Sequence, residues 1–231
     1  MPRRFLFFVV AFYLLYTIKI EVQHLSTEEK LLQKMGDTFA YLKQTPKAFH
    51  LMLVHAFVGL TAFDALVALM VDTYYASIIA TSLALGLLHA SRALGLVIGP
   101  TVLGKLINNK RLVYTFIGQA LAVYLWAYVM ENFYLSLIAS VFVGFFTTTL
   151  WSYSYTLLQK NIEQKYYGRI VAYNDMLFLS SAAFTSYMIG YLTTLGISLE
   201  NVANILGSGF IVGGFYYMYV IKTYKIKEIK I

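Results

Sequence analysis

Long apolar segments alternate along the chain with short connectors whose charge changes, and this pattern restricts the fold more than any other feature. Every second connector carries Lys or Arg, and the connectors between them carry neither. Short loops rich in Lys and Arg remain in the cytoplasm. The sequence therefore predicts an integral membrane protein whose spans alternate in direction. The basic connectors and tail are 30–47, 105–111, 160–169 and 222–230, and the connectors without basic residues are 72–77, 131–132 and 196–201.

The pattern predicts an all-α membrane protein in three regions. Residues 1–20 form a short apolar helix, below the roughly 17–25 residues of a usual span. Residues 21–47 form a connector whose apolar residues recur at helical spacing, either as an amphipathic helix on the cytoplasmic surface or as a linker helix on the bundle ends. Residues 48–231 form a six-helix transmembrane bundle. Its predicted spans are 48–71, 77–106, 112–130, 133–158, 168–195 and 202–224.

Composition excludes several classes of function. The chain is 59% hydrophobic and only 13% charged, and its net charge of +7 comes from residues at cytoplasmic helix ends, so we expect no nucleic-acid partner. There is no cysteine, which excludes disulfides, thiolate nucleophiles and zinc–thiolate sites. The four His have few acids near them, so we expect no metal and no cofactor. No catalytic constellation is present, and we do not expect an enzyme.

One carboxylate lies well inside a predicted span. Asp64, in the segment that also carries Thr61, lies just to the extracytoplasmic side of the middle of the first span. Acids are costly in lipid and by default mark function, and protonation removes the charge. Arg92 lies on the next span within about one to two turns of the same depth, with His89 on its face. We expect Asp64 to carry a proton and Arg92 to be its ion-pair partner or an anion contact. The alternative for Asp64 is a structural ion pair or a helix-end acid near the interface.

The fourth span is rich in hydroxyls and rings. The segment from Thr147 to Tyr155 contains three threonines, two serines, two tyrosines and a tryptophan. Such a segment is typical of a cavity wall, and Thr148 and Trp151 are its predicted substrate-facing members. The alternative is anchoring at the membrane interface, which we favour for Tyr155.

Two other intramembrane groups are interpreted as structural. Asp175 lies in the fifth span and is expected to pair with a basic loop residue such as Arg169. His55 lies nine residues before Asp64 in the first span. That spacing turns it about half a rotation away from Asp64, so we expect a structural histidine.

Two stretches resemble the major facilitator superfamily of transporters. The stretch Gly99–Arg111, GPTVLGKLINNKR, resembles the cytoplasmic loop between helices eight and nine of that family, with Asn108 where the better-formed copy has an acid. The stretch Tyr167–Ala172, YGRIVA, resembles the Gly-Arg start of helix eleven. The order of elements is also similar. The resemblance implies that the chain covers helix six, the central loop and helices seven to twelve, the C-terminal half of such a transporter.

The resemblance also implies roles for residues. In that family the pathway runs between two six-helix halves, and helices seven and ten face the central cavity, which would place Asp64 and Trp151 there. A cytoplasmic gate and its supports would follow from the matched motifs. These residues would be Gly104, Arg111, Gly168, Arg169 and Asp175.

We therefore expect half of a proton-coupled secondary transporter that moves or exports a small amphipathic organic compound. It would lie in the inner (cytoplasmic) membrane with its C-terminus in the cytoplasm, and its partners would be the bilayer, the substrate, and a separate N-terminal six-helix half or a second copy. Seven spans would place Arg3 and Arg4 outside, against the charge rule. Either the first segment does not span, or the chain is a truncated or split gene product, which is the explanation we favour. The alternative is a non-transporting scaffold or subunit.

Overall fold

The computed structural model describes Tyr13, Thr17 and residues 31–227. Nearly all of the predicted short helix 1–20 and of the segment 21–30 therefore lies outside the described residues. The chain divides into two compact units, Met1–Lys34 and Met35–Ile231. In the first unit, Tyr13 and Thr17 are helical. The second unit contains the six membrane-capable helices found among the described residues.

The described residues contain helices and no strand, and six of the helices are long and apolar enough to cross a membrane. This confirms the all-helical fold with six membrane-capable helices that the sequence predicts. The first span, Pro46–Tyr75, is built from several pieces, whereas the other five are continuous apart from a short 3₁₀ turn before α7. The helices are α1 (Leu31–Gln44), α2 (Pro46–Ala56), α3 (Asp64–Met70), α4 (Thr81–Leu103), α5 (Leu112–Val129), α6 (Phe133–Asn161), α7 (Tyr167–Thr194) and α8 (Leu199–Thr223).

Local sequence explains where several helices begin and end. The Asn132 side chain accepts a hydrogen bond from the Leu135 amide at 3.1 Å and caps α6, and Ser198 caps α8 in the same way. Gly196 has φ of +79° directly after α7. Its amide bonds to the Thr193 carbonyl and the next amide bonds back to Leu192, the pattern in which a left-handed glycine ends a helix.

The connectors gather by charge at the two ends of the bundle. At the basic end, the Asn109 side chain donates to the Lys227 carbonyl at 3.3 Å, and the Lys227 amide donates to the Asn161 side chain at 3.0 Å. At the other end, the Tyr74 hydroxyl donates to Glu200. The alternating charge along the sequence therefore becomes a bundle with one basic end and one acidic end, as antiparallel spans require.

Helices α4 and α6 meet backbone to backbone. A Cβ atom added to Gly95 would lie 2.0 Å from the Val141 carbonyl oxygen, and one added to Gly99 would lie 2.0 Å from that of Phe145. Four-residue spacing of glycines places both on one face, where they permit the close approach that drives association of helices in lipid.

The six spans form two groups of three, the first span with α4 and α5, and α6 with α7 and α8. The helix contacts are approximately symmetric when one group is exchanged for the other. In the first group, α4 and α5 both pack on α6, the leading span of the second group. In the second group, α7 and α8 both pack on the first span. The third members of the groups, α5 and α8, pack on each other, as do the two leading spans. This pattern is what two inverted three-helix repeats produce.

Candidate functional site

The first span is interrupted near its middle. Helix α2 ends at Ala56, a 3₁₀ segment follows over Phe57–Thr61, and Ala62 leaves the helical region with ψ of 65° before α3 begins at Asp64. The interruption is packed tightly, because a Cβ atom on Gly59 would lie 2.7 Å from the Ser181 side chain of α7. Non-helical backbone inside a membrane is tolerated where neighbouring groups satisfy its carbonyls.

Arg92 of α4 supplies one of those groups. Its Nη2 atom donates a hydrogen bond of 2.8 Å to the Thr61 carbonyl oxygen, and its guanidinium lies 5.4 Å from the centre of the Phe63 ring. The Thr61 hydroxyl donates in turn to the Val58 carbonyl at 2.8 Å. The predicted site residues Thr61 and Arg92 are therefore brought together, through the main chain of the interruption.

Asp64 is the first residue of α3, and its carboxylate points away from the interior. Its Oδ1 atom lies 3.9 Å from Nδ1 of His89, and the two side chains are 73% and 46% exposed. Among the described residues, the basic side chain within 4 Å of the Asp64 carboxylate is therefore His89 and not Arg92, and the contact is ionic only when the imidazole is protonated. The physical reason is that Arg92 is bound to the Thr61 carbonyl of the interruption.

A small cavity lies beside the Arg92 guanidinium. It has about 10 Å³ of room for the centre of a water-sized sphere and is lined by Phe63, His89, Trp126 and Ser140 among others. The Nε atom of Arg92 is buried and has no hydrogen-bond partner in the described part of the chain. This volume is close to the minimum that holds a single water molecule, which would complete the guanidinium's hydrogen bonds.

The fourth span presents two different faces. Thr147 points into the bundle, where its hydroxyl bonds to Gln119 at 3.1 Å. Thr148 is half-buried, and Trp151 is 43% exposed and stacks on the Tyr155 ring at 5.6 Å. Trp151, one turn after Thr147, packs against the buried His55 ring, with the ring centres 6.1 Å apart, whereas Thr148 lies on the adjoining part of the helix surface.

The residues assigned to a cytoplasmic gate do not form one cluster. Arg111 donates to the Leu106 carbonyl at 2.8 Å within its own connector, and Gly104 follows the end of α4. Arg169 donates to the Thr38 hydroxyl at 3.3 Å, while Gly168 has open space around it. Asp175 accepts from Asn174 at 3.4 Å and lies beside the Tyr155 hydroxyl.

The sequence interpretation missed the surroundings of His55. This side chain is fully buried, and its Nδ1 atom lies 2.8 Å from the Ser154 hydroxyl oxygen. Its Nε2 atom is buried without a partner among the described residues. Nothing in the sequence signals this, because it depends on how α2 and α6 are rotated about their axes.

The described residues contain no group of three or more His, Cys, Asp or Glu able to hold a metal ion.

Comparisons with protein-family models, with curated proteins and with solved structures find no match to this chain.

Proposed function

We propose that this chain is one half of a proton-coupled secondary transporter for a small amphipathic organic compound. The observation that carries the proposal is the interrupted first span, with Asp64 at the interruption and Arg92 holding its backbone. Discontinuous helices near the bilayer midplane are typical of transporter substrate and ion sites, and irregular backbone there lines a cavity or is buried in protein.

The approximate symmetry between the two three-span groups supports the same proposal. Inverted three-helix repeats build each six-helix half of several transporter folds. The two most peripheral spans here are the second members of each group. In the most apolar 18-residue stretch of the α4 and α7 spans, only 22% and 11% of the stretch is buried inside the bundle, against 61% in the first span. Their outer surfaces are therefore free to meet lipid or another protein.

The exposed carboxylates argue for a partner or a water-filled path. Asp64 is mostly exposed and Asp175 is half-buried, both within spans. A charge facing lipid near the bilayer centre costs about 2.5–3.5 kcal/mol even on lenient scales. Both groups are accommodated if this side of the bundle faces an aqueous pathway completed by a separate N-terminal half or by a second copy of the chain.

The test is transport by purified protein in liposomes that contain a pH-sensitive dye. We expect the chain alone to show no proton movement when amphipathic compounds are added, and the assembled two-half protein to show it. Asp64→Asn should abolish coupling while leaving the protein folded, and Asp72→Asn, at the extracytoplasmic end of the same span, should leave coupling unchanged. Coupled transport by a demonstrated monomer would refute the half-transporter proposal.

A scaffold or subunit is the second candidate, and the Arg92 contact favours it, because a guanidinium bound to a backbone carbonyl can serve stability alone. A scaffold predicts that Asp64→Asn and Arg92→Met lower thermal stability together. Wild-type coupling in a well-folded Asp64→Asn protein would remove Asp64 from any transport mechanism.

A further inference from the structure

The tautomer of His55 follows from its neighbour. The Ser154 hydroxyl has one hydrogen, and its Oγ atom is placed to donate to the Leu150 carbonyl at 2.7 Å, with the Trp151 carbonyl further away at 3.2 Å. The assignment that satisfies both contacts has the hydroxyl donating to Leu150 and its oxygen accepting from Nδ1 of His55 at 2.8 Å. A neutral imidazole with hydrogen on Nδ1 carries a lone pair on Nε2. Since Nε2 is buried and has no partner in the described residues, an acceptor is left unused inside a span.

Aromatic rings surround this acceptor. The ring centres of Trp151, Tyr155 and Phe178 lie 6.1, 5.2 and 5.6 Å from that of His55. His55 is fully buried, while Trp151 is 43% exposed. Rotation of the indole would therefore open a route from the outer face of the bundle to Nε2.

The charge at this face selects for cations. The faces of Trp, Tyr and Phe rings carry negative potential and attract ammonium groups, and the attraction grows when water is excluded. The Asp175 carboxylate lies beside the Tyr155 hydroxyl and adds a formal negative charge. An anion would meet both the ring faces and this carboxylate unfavourably.

We propose that Trp151, Tyr155 and Asp175 form a binding subsite for an organic ammonium ion with an apolar body, and that Nε2 of His55 accepts a hydrogen bond from its N–H group. The apolar body packs on the stacked rings, and the ammonium group lies between the carboxylate and the imidazole. This rests on the proposed transport function for the identification of the ammonium ion as the substrate. Binding itself is a property of the purified chain.

The experiment follows the fluorescence of Trp151. The chain has two tryptophans, so Trp126→Phe leaves Trp151 as the only indole. This protein, in lipid nanodiscs, is titrated with 4-phenylbutylammonium, with its quaternary trimethylammonium analogue and with 4-phenylbutyrate. We expect saturable binding of the ammonium and no saturable binding of the anion. The quaternary analogue should bind about tenfold more weakly than the ammonium, because it has no N–H group to donate to Nε2 of His55.

Matched variants separate the contributions. Asp175→Asn should weaken binding of both cations at least about tenfold, whereas Glu163→Gln, an exposed acid in the cytoplasmic connector, should change nothing. His55→Leu should remove the preference for the ammonium over its quaternary analogue. His55→Gln should keep part of that preference, because an amide can donate to Ser154 and still offer an acceptor.

Three outcomes would overturn the inference: equal responses to all three probes, the same response in Trp151→Phe, or unchanged cation affinity in Asp175→Asn. If Trp126→Phe does not fold, the wild-type signal after subtraction of the Trp151→Phe signal gives the same quantity. Selective ammonium binding by a chain that never supports transport would uphold this subsite and refute the proposed function. Coupled transport without selective binding would do the reverse.

Discussion

Replacing Gly99 by alanine tests the backbone contact that holds α4 against α6. The added Cβ atom would lie 2.0 Å from the Phe145 carbonyl oxygen, whereas ordinary contacts begin at 3.4 Å. The two helices must therefore separate locally by about 1.4 Å, and no flexible side chain can move aside, because the obstructing atom is backbone. Overpacking of this kind costs about 1–3 kcal/mol.

Gly86→Ala on the same helix is the matched control, because a Cβ atom there meets nothing within 4 Å. Both changes gain up to about 1 kcal/mol of helix propensity, so this gain cancels when the two variants are compared. For a chain of this size 1 kcal/mol corresponds to about 2–4 °C in Tm. Thermal unfolding in detergent should therefore place Gly99→Ala roughly 2–12 °C below Gly86→Ala. A Tm for Gly99→Ala equal to or above that of Gly86→Ala would refute the close packing and the argument built on it.

Three further changes test the ends and the middle of the bundle. Single cysteines at the exposed positions Lys110 and Glu131 should react with impermeant reagents from opposite sides of the membrane, and labelling from one side would refute the charge-based topology. Arg92→Met should lower Tm by several degrees, because the Thr61 carbonyl loses its partner, and Arg92→Lys should recover part of the loss. Asn109→Leu should also lower Tm, since the Asn109 side chain accepts from the buried Tyr153 hydroxyl and donates to the Lys227 carbonyl; an unchanged melting curve would mean that these two side-chain bonds contribute nothing.

The spans and the grouping of their connectors could be predicted from sequence because they depend on local properties. Apolar length sets where a helix can cross lipid, and the positions of Lys and Arg set which connectors lie on the same side. The glycines of α4 were also visible as residues that allow close approach of a helix, but the partner helix α6 was not. Gly86 and Gly168 look the same in sequence but meet open space, because only the rotation of the helix decides which glycine faces a neighbour.

The interruption of the first span could not be predicted in this way. Its residues are apolar and contain no proline, the usual sign of a break. The signals that explain it are tertiary: Gly59 lies against Ser181 of α7, and Arg92 of α4 satisfies the Thr61 carbonyl. A helix break that depends on partners from two other helices leaves no local pattern.

The interruption also changes which groups belong together in the proposed mechanism. Depth alone placed Arg92 within about one to two turns of Asp64, as its ion-pair partner or as an anion contact. With the helix broken, Arg92 donates to a backbone carbonyl and Asp64 begins a new helix beside His89. A change at Asp64 would therefore reach His89 and leave the Arg92 contact in place, since the two contacts share no atom. Coupling through this site therefore predicts that His89→Gln alters proton coupling with little loss of stability, whereas Arg92→Met does the opposite. Equal effects of the two substitutions on stability and on coupling would contradict this separation of roles.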